Sequence, residues 1–517
     1  MIVDFRDAGV GAEHSADVCV VGAGPAGLAV TQQLRGSGRS VLLVESGGLD
    51  PDPDTSSLNQ GRSVGLEVDL LRGRARVFGG TGTVWPGQCL RLDPSDLEPR
   101  DWVPDSGWPF TAATLERYYE RAEAWLGIPP DASDERAWRR YGLAAPDFDP
   151  RRLTHKSAVY SPQPDVGARL REEFARADDV TVLLHATAAR IDRGAVPVAE
   201  SLEIRSLSGR VGRVRARTFV LCGGGIENAR LLLLSGVADD CAPVGRYFQE
   251  HPTIWADVVL HRPAAVQEFY NILGRRAIRY VPKIALSWET QRRERVLNAV
   301  ATMIYDRTET PGMVAARALS GALQERRRPE NIGRAELHGA LREARGVAAA
   351  GYRRFVKGRP SAATLDRTRL KILVEQAPNP ESRVYLSSES DALGLPTACV
   401  DWRLTELERR TAKVFTEALG DELSRTGLGH VAGTDWLDDG GWTSGFEDAY
   451  HPMGTTRMSS DRAKGVVDAD CRLHGVANVY VCGSSVFPTG GYANPTLTIV
   501  ALALRLADHL KATTTWM

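Results

Sequence analysis

The stretch DVCVVGAGPAGLAVTQQLRGSGRSVLLVES, residues 17 to 46, reads as a strand, a glycine turn, a helix and a second strand. VCVV and VLLV are continuous apolar runs, as expected of parallel strands buried on both faces. Gly22, Gly24 and Gly27 stand in GxGxxG spacing directly after the first run. There the first glycine permits a tight turn, the second lets backbone approach a pyrophosphate, and the third lets helix pack closely on strand. The helix that opens at Pro25 and Ala26 turns its N-terminus toward the phosphate charge. Glu45 ends the second strand roughly 20 residues on, followed by Ser46, where a carboxylate accepts both ribose hydroxyls and repels a 2′-phosphate. This argues against NADP, but the motif alone does not separate NAD from FAD.

Two later segments repeat the strand-to-helix pattern. TFVLCGGGI, residues 218 to 226, runs into the helical ENARLLLLSG, and VYVCGSSVFPT, residues 479 to 489, precedes the helical NPTLTIVALALRLADHL. A long dinucleotide such as FAD needs a second set of contacts for its ribityl and flavin ends, and these segments supply one. A single-domain NAD dehydrogenase leaves GSSVFPTGGYANPT without a purpose. Residues from about 250 to 440 alternate strand-like runs with an Arg-rich helical section around 314–357, which reads as a substrate domain inserted into the nucleotide fold.

A chain of 517 residues, 43% apolar, can bury a large core and suggests two domains or one composite fold. Lys plus Arg total 64 against 65 for Asp plus Glu, so the positive excess of a nucleic-acid binder is missing. Seven cysteines, at 19, 89, 222, 241, 399, 471 and 482, show no zinc-ligand spacing and cannot all pair. The start lacks the pattern of a secretory signal, and no uncharged run reaches about 18 residues. The expectation is a cytoplasmic protein with reduced thiols, no membrane span and no metal site.

The sequence resembles the glucose-methanol-choline (GMC) oxidoreductases over nearly its whole length. The likeness is carried by VVGAGPAG, VFGGTGTVW, RARTFVLCGGGIENARLLLLSG, VGRYFQEHP, YHPMGTTRM and NVYVCGSSVFPTGGYANPTLTIVALALRLA. KILVEQAPNPESRVYLSSESDALGLPTACVDWRL and the HPMGTTRM form are most similar to the bacterial pyranose oxidase and glycoside 3-oxidase branch. The resemblance implies an α/β protein, with a Rossmann-like FAD-binding domain beside an α+β substrate domain built on a mostly antiparallel sheet. The expected divisions are 1–250 for the FAD domain with substrate-domain excursions, 251–440 mainly for substrate, and 441–517 for the segment that completes the FAD domain and carries the catalytic pair.

By the same resemblance, Gly79, Gly80, Thr81, Thr83, Val84 and Trp85 line the flavin's middle and edge, and Gly483 and Ser484 meet the pyrophosphate. Ala186 to Ala188 lie where backbone pairs with adenine, Gly223 belongs to the same nucleotide set, and Asn494, Pro495 and Thr496 bring amides to the flavin's pyrimidine side. Val84 stands where some pyranose oxidases carry a histidine joined to FAD, so the expectation is noncovalent FAD.

Removing hydride from a carbinol needs a base for the hydroxyl proton and a second group to hold the oxygen. The resemblance places that pair at His451 and Asn494. An isolated histidine is more often satisfied by backbone, and Asn-Pro is a common turn opener; the motif context decides for catalysis. Gln376, in LVEQA, is a candidate for a substrate hydroxyl or, equally, a sheet residue bonded to a neighbouring strand. His251 reads as shaping the cofactor loop, and His185, His338, His430 and His474 have no supporting constellation. Arg326, Arg327, Arg328, Arg342, Arg345, Arg353 and Arg354 read as a solvated helix face before an anion dock. The expected reaction is oxidation of a sugar-like alcohol, with oxygen or another acceptor as the final oxidant. The alternative is a member of the superfamily with non-redox, lyase-type chemistry.

Overall fold

A computed structural model describes the chain except residues 10, 130–137, 195–196, 239–241, 276–277, 307–347, 349–351, 353–366 and 514–517. The Arg-rich residues named above, together with His338 and Cys241, lie outside the described residues. The first sheet runs in the order β1 (Ile2–Asp4), β7 (Val180–Leu184), β3 (Val41–Val44), β2 (Glu13–Val21), β10 (Val211–Leu221), β9 (Ala199–Arg205), β8 (Thr187–Arg193). Here β19 (Val479–Val481) joins β10 in parallel, Phe219 opposite Val479. The strands from β1 to β10 pair in parallel, and β9 and β8 attach antiparallel. The buried half of β2 and the fully buried VLLV of β3 both pack against α1 (Pro25–Leu34).

Helix α1 (Pro25–Leu34) lies on this sheet. It is followed by α2 (Ala112–Trp125), α3 (Val166–Ala175), α4 (Gly224–Ser235), α5 (Glu406–Arg425) and α6 (Thr496–Thr513). Helix α6 is apolar nearly all round, from Leu497 to Leu510, because it is wedged against both α1 and α2. The C-terminal segment thus completes a layer begun at residue 25.

The second sheet runs β18 (Gly429–Ala432), β11 (Thr253–Leu260), β15 (Arg367–Val374), β14 (Ala299–Asp306), β13 (Ile278–Leu286), β6 (Leu153–Tyr160), β5 (Gln88–Cys89), with β12 (Leu273–Arg275) beside β13. Every pairing in it is antiparallel. Strands β5 and β6 come from the first third of the chain, so residues before 250 build part of this sheet. A third, small sheet joins β16 (Arg383–Ser390), β17 (Pro396–Trp402) and β4 (Gly61–Gly65). Consequently β16, within the 250–440 span read as a substrate domain, stands apart from the second sheet.

Candidate active site

A cavity of about 940 Å³ extends from the C-terminal ends of β2, β3, β10 and β19 to one face of the second sheet. The N-termini of α1, α4 and α6 abut it at Pro25, Gly224 and Thr496. Gly24 and Gly223, which cap α1 and α4, offer no side-chain acceptor, so the first amides of both helices are left for an anionic ligand.

The glycines divide into two kinds. A Cβ on Gly22 would come within 2.8 Å of the Cys222 carbonyl, and one on Gly80 within 2.7 Å of the Gly24 Cα, so these hold two walls together. A Cβ on Gly24, Gly224 or Gly483 meets nothing within 4 Å, although all three line the cavity. Bare backbone facing open space beside helix N-termini suits the pyrophosphate of a long dinucleotide.

Most of the sequence-predicted nucleotide residues line this space. Gly22, Gly24, Pro25, Ala26, Glu45, Ser46, Gly80, Thr81, Val84, Trp85, Ala188, Gly223, Gly483, Ser484, Asn494, Pro495 and Thr496 all do. Three do not, and each has a local reason. A Cβ on Gly27 would run into the Gly22 carbonyl, so Gly27 serves helix packing. Gly79, at φ 112°, and Thr83, whose Oγ1 donates to the Gly80 carbonyl at 2.9 Å, shape the turn from beneath. Glu45 is engaged before any ribose arrives: its two oxygens accept from the amides of Ala23 and Gly47, each at 2.8 Å. Burial pushes its pKa up against those bonds, and a carboxylate accepting two donors keeps lone pairs for more.

At the far end of the cavity, His451 and Asn494 meet at its wall, Asn494 Nδ2 lying 3.3 Å from His451 Nε2. His451 Nδ1 lies 2.9 Å from Nδ1 of His251, a residue that is fully buried. The other nitrogen of His251, Nε2, faces the Gly490 carbonyl at 3.4 Å. A carbonyl only accepts, so the His251 proton sits on Nε2 and its Nδ1 is an acceptor. His451 then donates from Nδ1 and keeps the lone pair on Nε2, toward Asn494. Burial first, then the charges of His251, Lys371 and Lys283, hold the His451 pKa well below its ordinary value. Burial likewise pushes His251 down to about 4. The imidazole facing the cavity is neutral over a wider range than the ordinary 6.5 expects.

Glu250 holds this pair in place. One of its oxygens, Oε2, accepts from the backbone amides of His451 (2.9 Å), His251 (3.1 Å) and Ala449 (3.4 Å), and the side chain is wholly buried, which pushes its pKa up to about 8. Between Ala449 and His451, Tyr450 adopts φ 62°, a left-handed conformation that costs on the order of 1–3 kcal/mol in a non-glycine residue. The Glu250 anchor offsets that strain. Sequence reading missed Glu250 and gave His251 only a loop-shaping role, though an acid and a histidine together in QEHP, between apolar segments, are a signal of a buried polar cluster.

Gln376 requires a correction. It does not line the cavity: its oxygen accepts from the Glu250 amide (2.9 Å) and Trp402 Nε1 (2.9 Å), and its nitrogen donates to the carbonyls of Phe248 (3.3 Å) and Arg403 (3.2 Å). With both amide atoms occupied, it ties β15 to the QEHP turn and the small sheet, and the sheet-residue alternative holds. His251 contacts the catalytic candidate directly rather than only shaping a loop. His430 packs against His261, and His474 bonds the Ser459 carbonyl, both away from the cavity. Among the described residues, no His, Cys, Asp and Glu cluster is placed to hold a metal, all six described cysteines are free, and no helix is long and apolar enough to cross a membrane.

A parallel sheet, a glycine-lined cavity, and a histidine and asparagine beside an antiparallel sheet are the arrangement expected of an FAD-dependent oxidoreductase. Residues 378–503 match the family model described as GMC oxidoreductase. The chain is 26% identical to a 6'''-hydroxyparomomycin C oxidase of Streptomyces lividus over 96% of its own length and 92% of that protein. It is 32% identical to a C-glycoside 3-oxidase of Microbacterium trichothecenolyticum over 127 residues, 24% of this chain and 23% of the other. A formate oxidase of Aspergillus oryzae RIB40 shares the fold, with a TM-score of 0.59 and 17% identity, over 98% of this chain and 99% of that one. The C-terminal part of the chain thus matches the GMC oxidoreductase model, and the likeness to an oxidase runs over nearly the whole chain.

Proposed function

We propose that this enzyme oxidises a secondary hydroxyl of a sugar, glycoside or related natural product to a carbonyl, with His451 as the base. The observation that carries this reading is the His451 Nε2 lone pair, held at the cavity by the His251 contact behind it and Asn494 in front. FAD supplies the hydride acceptor. The first amides of α1, together with Gly24, Gly483 and Ser484, would hold its pyrophosphate; Glu45 would hold the ribose, and Asn494 to Thr496 the pyrimidine edge.

His451 takes the hydroxyl proton at Nε2, and the Asn494 amide orients the same oxygen so that the C–H bond points away from the base. The second sheet forms one wall of the cavity beside them. Val84, exposed to the cavity, has no nucleophilic atom, which supports noncovalent FAD. The relatives named as oxidases of an aminoglycoside and of C-glycosides support a sugar-like substrate. The test is anaerobic mixing of the yellow holoenzyme with a panel of sugars, glycosides and cyclitols. Bleaching of the flavin by at least one secondary alcohol is expected; a panel that leaves it oxidised would remove this reading.

A further inference from the structure

Four neighbouring strands of the second sheet carry an unusual row. Lys283 on β13 stands opposite Lys156 on β6, and Lys371 on β15 stands opposite Thr302 on β14. The register of β13 against β14, with Ile284 opposite Ala301 and Ala285 opposite Val300, brings Lys283 beside Thr302 as well. Directly opposed residues of an antiparallel sheet share a face, so Lys156, Lys283, Thr302 and Lys371 form one line across it. Like charges set side by side in this way are destabilising unless something opposite meets them.

For Lys156 the opposite charge is present: its Nζ lies 2.6 Å from Asp93. For the other two none is present among the described residues. Lys283 is 4% exposed, and its Nζ donates to Thr302 Oγ1 at 3.1 Å. Among the described residues neither Lys283 nor Lys371 has a carboxylate within 4.0 Å. Both line the cavity, as does Thr302 between them. The lining acids are Glu45, at the nucleotide end, and Glu227, which is bound to Arg74 and Arg76. Burial and the neighbouring Lys371 lower the Lys283 pKa to about 7, as befits an amine that no acid meets. Acids beyond the cavity, Glu447 and Asp448, act on Lys371 from a distance, and His451 feels both lysines. A buried ammonium without a counter-charge is costly, and a ligand that supplies one recovers the cost.

We infer that the substrate carries a carboxylate, held by Lys283, Lys371 and the Thr302 hydroxyl, while its carbinol faces His451 and Asn494. The two lysines stand on strands separated by one other, hence about 9–10 Å apart at the backbone, and their long stems can converge over Thr302. This rests on the alcohol-oxidation reading and narrows it to acidic sugars or their kin, a uronate rather than an amino sugar. An ammonium group there would meet two further cations.

The test uses ligands without a carbinol, read by perturbation of the oxidised holoenzyme's flavin spectrum. Tetrahydropyran-2-carboxylate should bind saturably, and the isosteric carboxamide about tenfold or more weakly, the scale of a charge-assisted hydrogen bond. Lys283→Met and Lys371→Met should each erase most of that preference while the flavin stays bound. Equal affinity of wild type for carboxylate and carboxamide, failure of the carboxylate to bind, or a preference undiminished in both variants overturns the proposal. The wild-type comparison decides even if a variant fails to fold. Carboxylate binding in a protein that no alcohol bleaches would keep the anion site and sink the alcohol reading. Bleaching by sugars without any carboxylate preference would do the reverse.

Discussion

At the nucleotide end of the cavity the wall is backbone: Gly24, Gly224 and Gly483 present no side chain, and helix N-termini point inward. At the substrate end the wall is side chains: Lys283, Thr302 and Lys371 from three strands of a sheet, facing His451 and Asn494. On the reading proposed above, the first end would recognise charge and shape common to any pyrophosphate, and the second would recognise one ligand through side chains that could be exchanged without disturbing the strands that carry them. The difference teaches where this fold is rigid in sequence and where it is free.

The largest effect should come at the substrate end. His451→Ala should slow anaerobic flavin reduction by about 10²–10⁴-fold, the usual contribution of a general base, with FAD retained and its spectrum normal. In the wild type the rate should stay level as pH falls to about 6.5 and drop only below it, because the lowered His451 pKa keeps the base neutral. An inflection at or above 6.5, or a variant as fast as wild type in stopped-flow mixing, would break the division of labour drawn here.

At the nucleotide end, Gly24→Val should weaken FAD binding by about 1–3 kcal/mol, the scale of forcing atoms into filled space. The apoprotein's melting temperature should hardly move, since a Cβ at Gly24 meets nothing within 4 Å and its φ is an ordinary -74°. Unchanged FAD affinity in a dialysis titration would mean that this backbone does not face the cofactor.

The smallest catalytic effect is expected where sequence reading placed a substrate contact. Gln376→Ala strips acceptors from the Glu250 amide and Trp402 Nε1, so about 1–3 kcal/mol of stability should be lost in urea titration. The flavin-reduction rate of the folded fraction should stay within a few-fold. A large loss of rate with unchanged stability would return Gln376 to the substrate.

These contrasts explain what was legible in the sequence. GxGxxG and Glu45 are local: strand, turn, helix and acid lie within one short stretch, and spacing alone displays the chemistry. His451 and Asn494 were legible only through their motifs. Their geometry depends on Glu250 and His251, some 200 residues away from His451, whose roles no periodicity reveals. Lys283 and Lys371 each sit in an apolar strand, YVPKIAL and RLKILV, and a lone lysine there was the available signal. What joined them was the register of β13, β14 and β15, which only the folded sheet supplies. Gln376 could be read either way because a strand amide can face a ligand or a neighbouring carbonyl, and only its four partners decide.

The wedging of α6 against α1 also sets a schedule for synthesis. At roughly 5–20 residues per second, a ribosome needs roughly half a minute to a minute and a half after making Gly22 before it reaches Thr496. Throughout that interval the glycine turn exists without the helix that seals its layer or the Asn494 loop that lines the cavity. A cofactor site that needs α6 and the Asn494 loop can therefore close only after nearly the whole chain has been made.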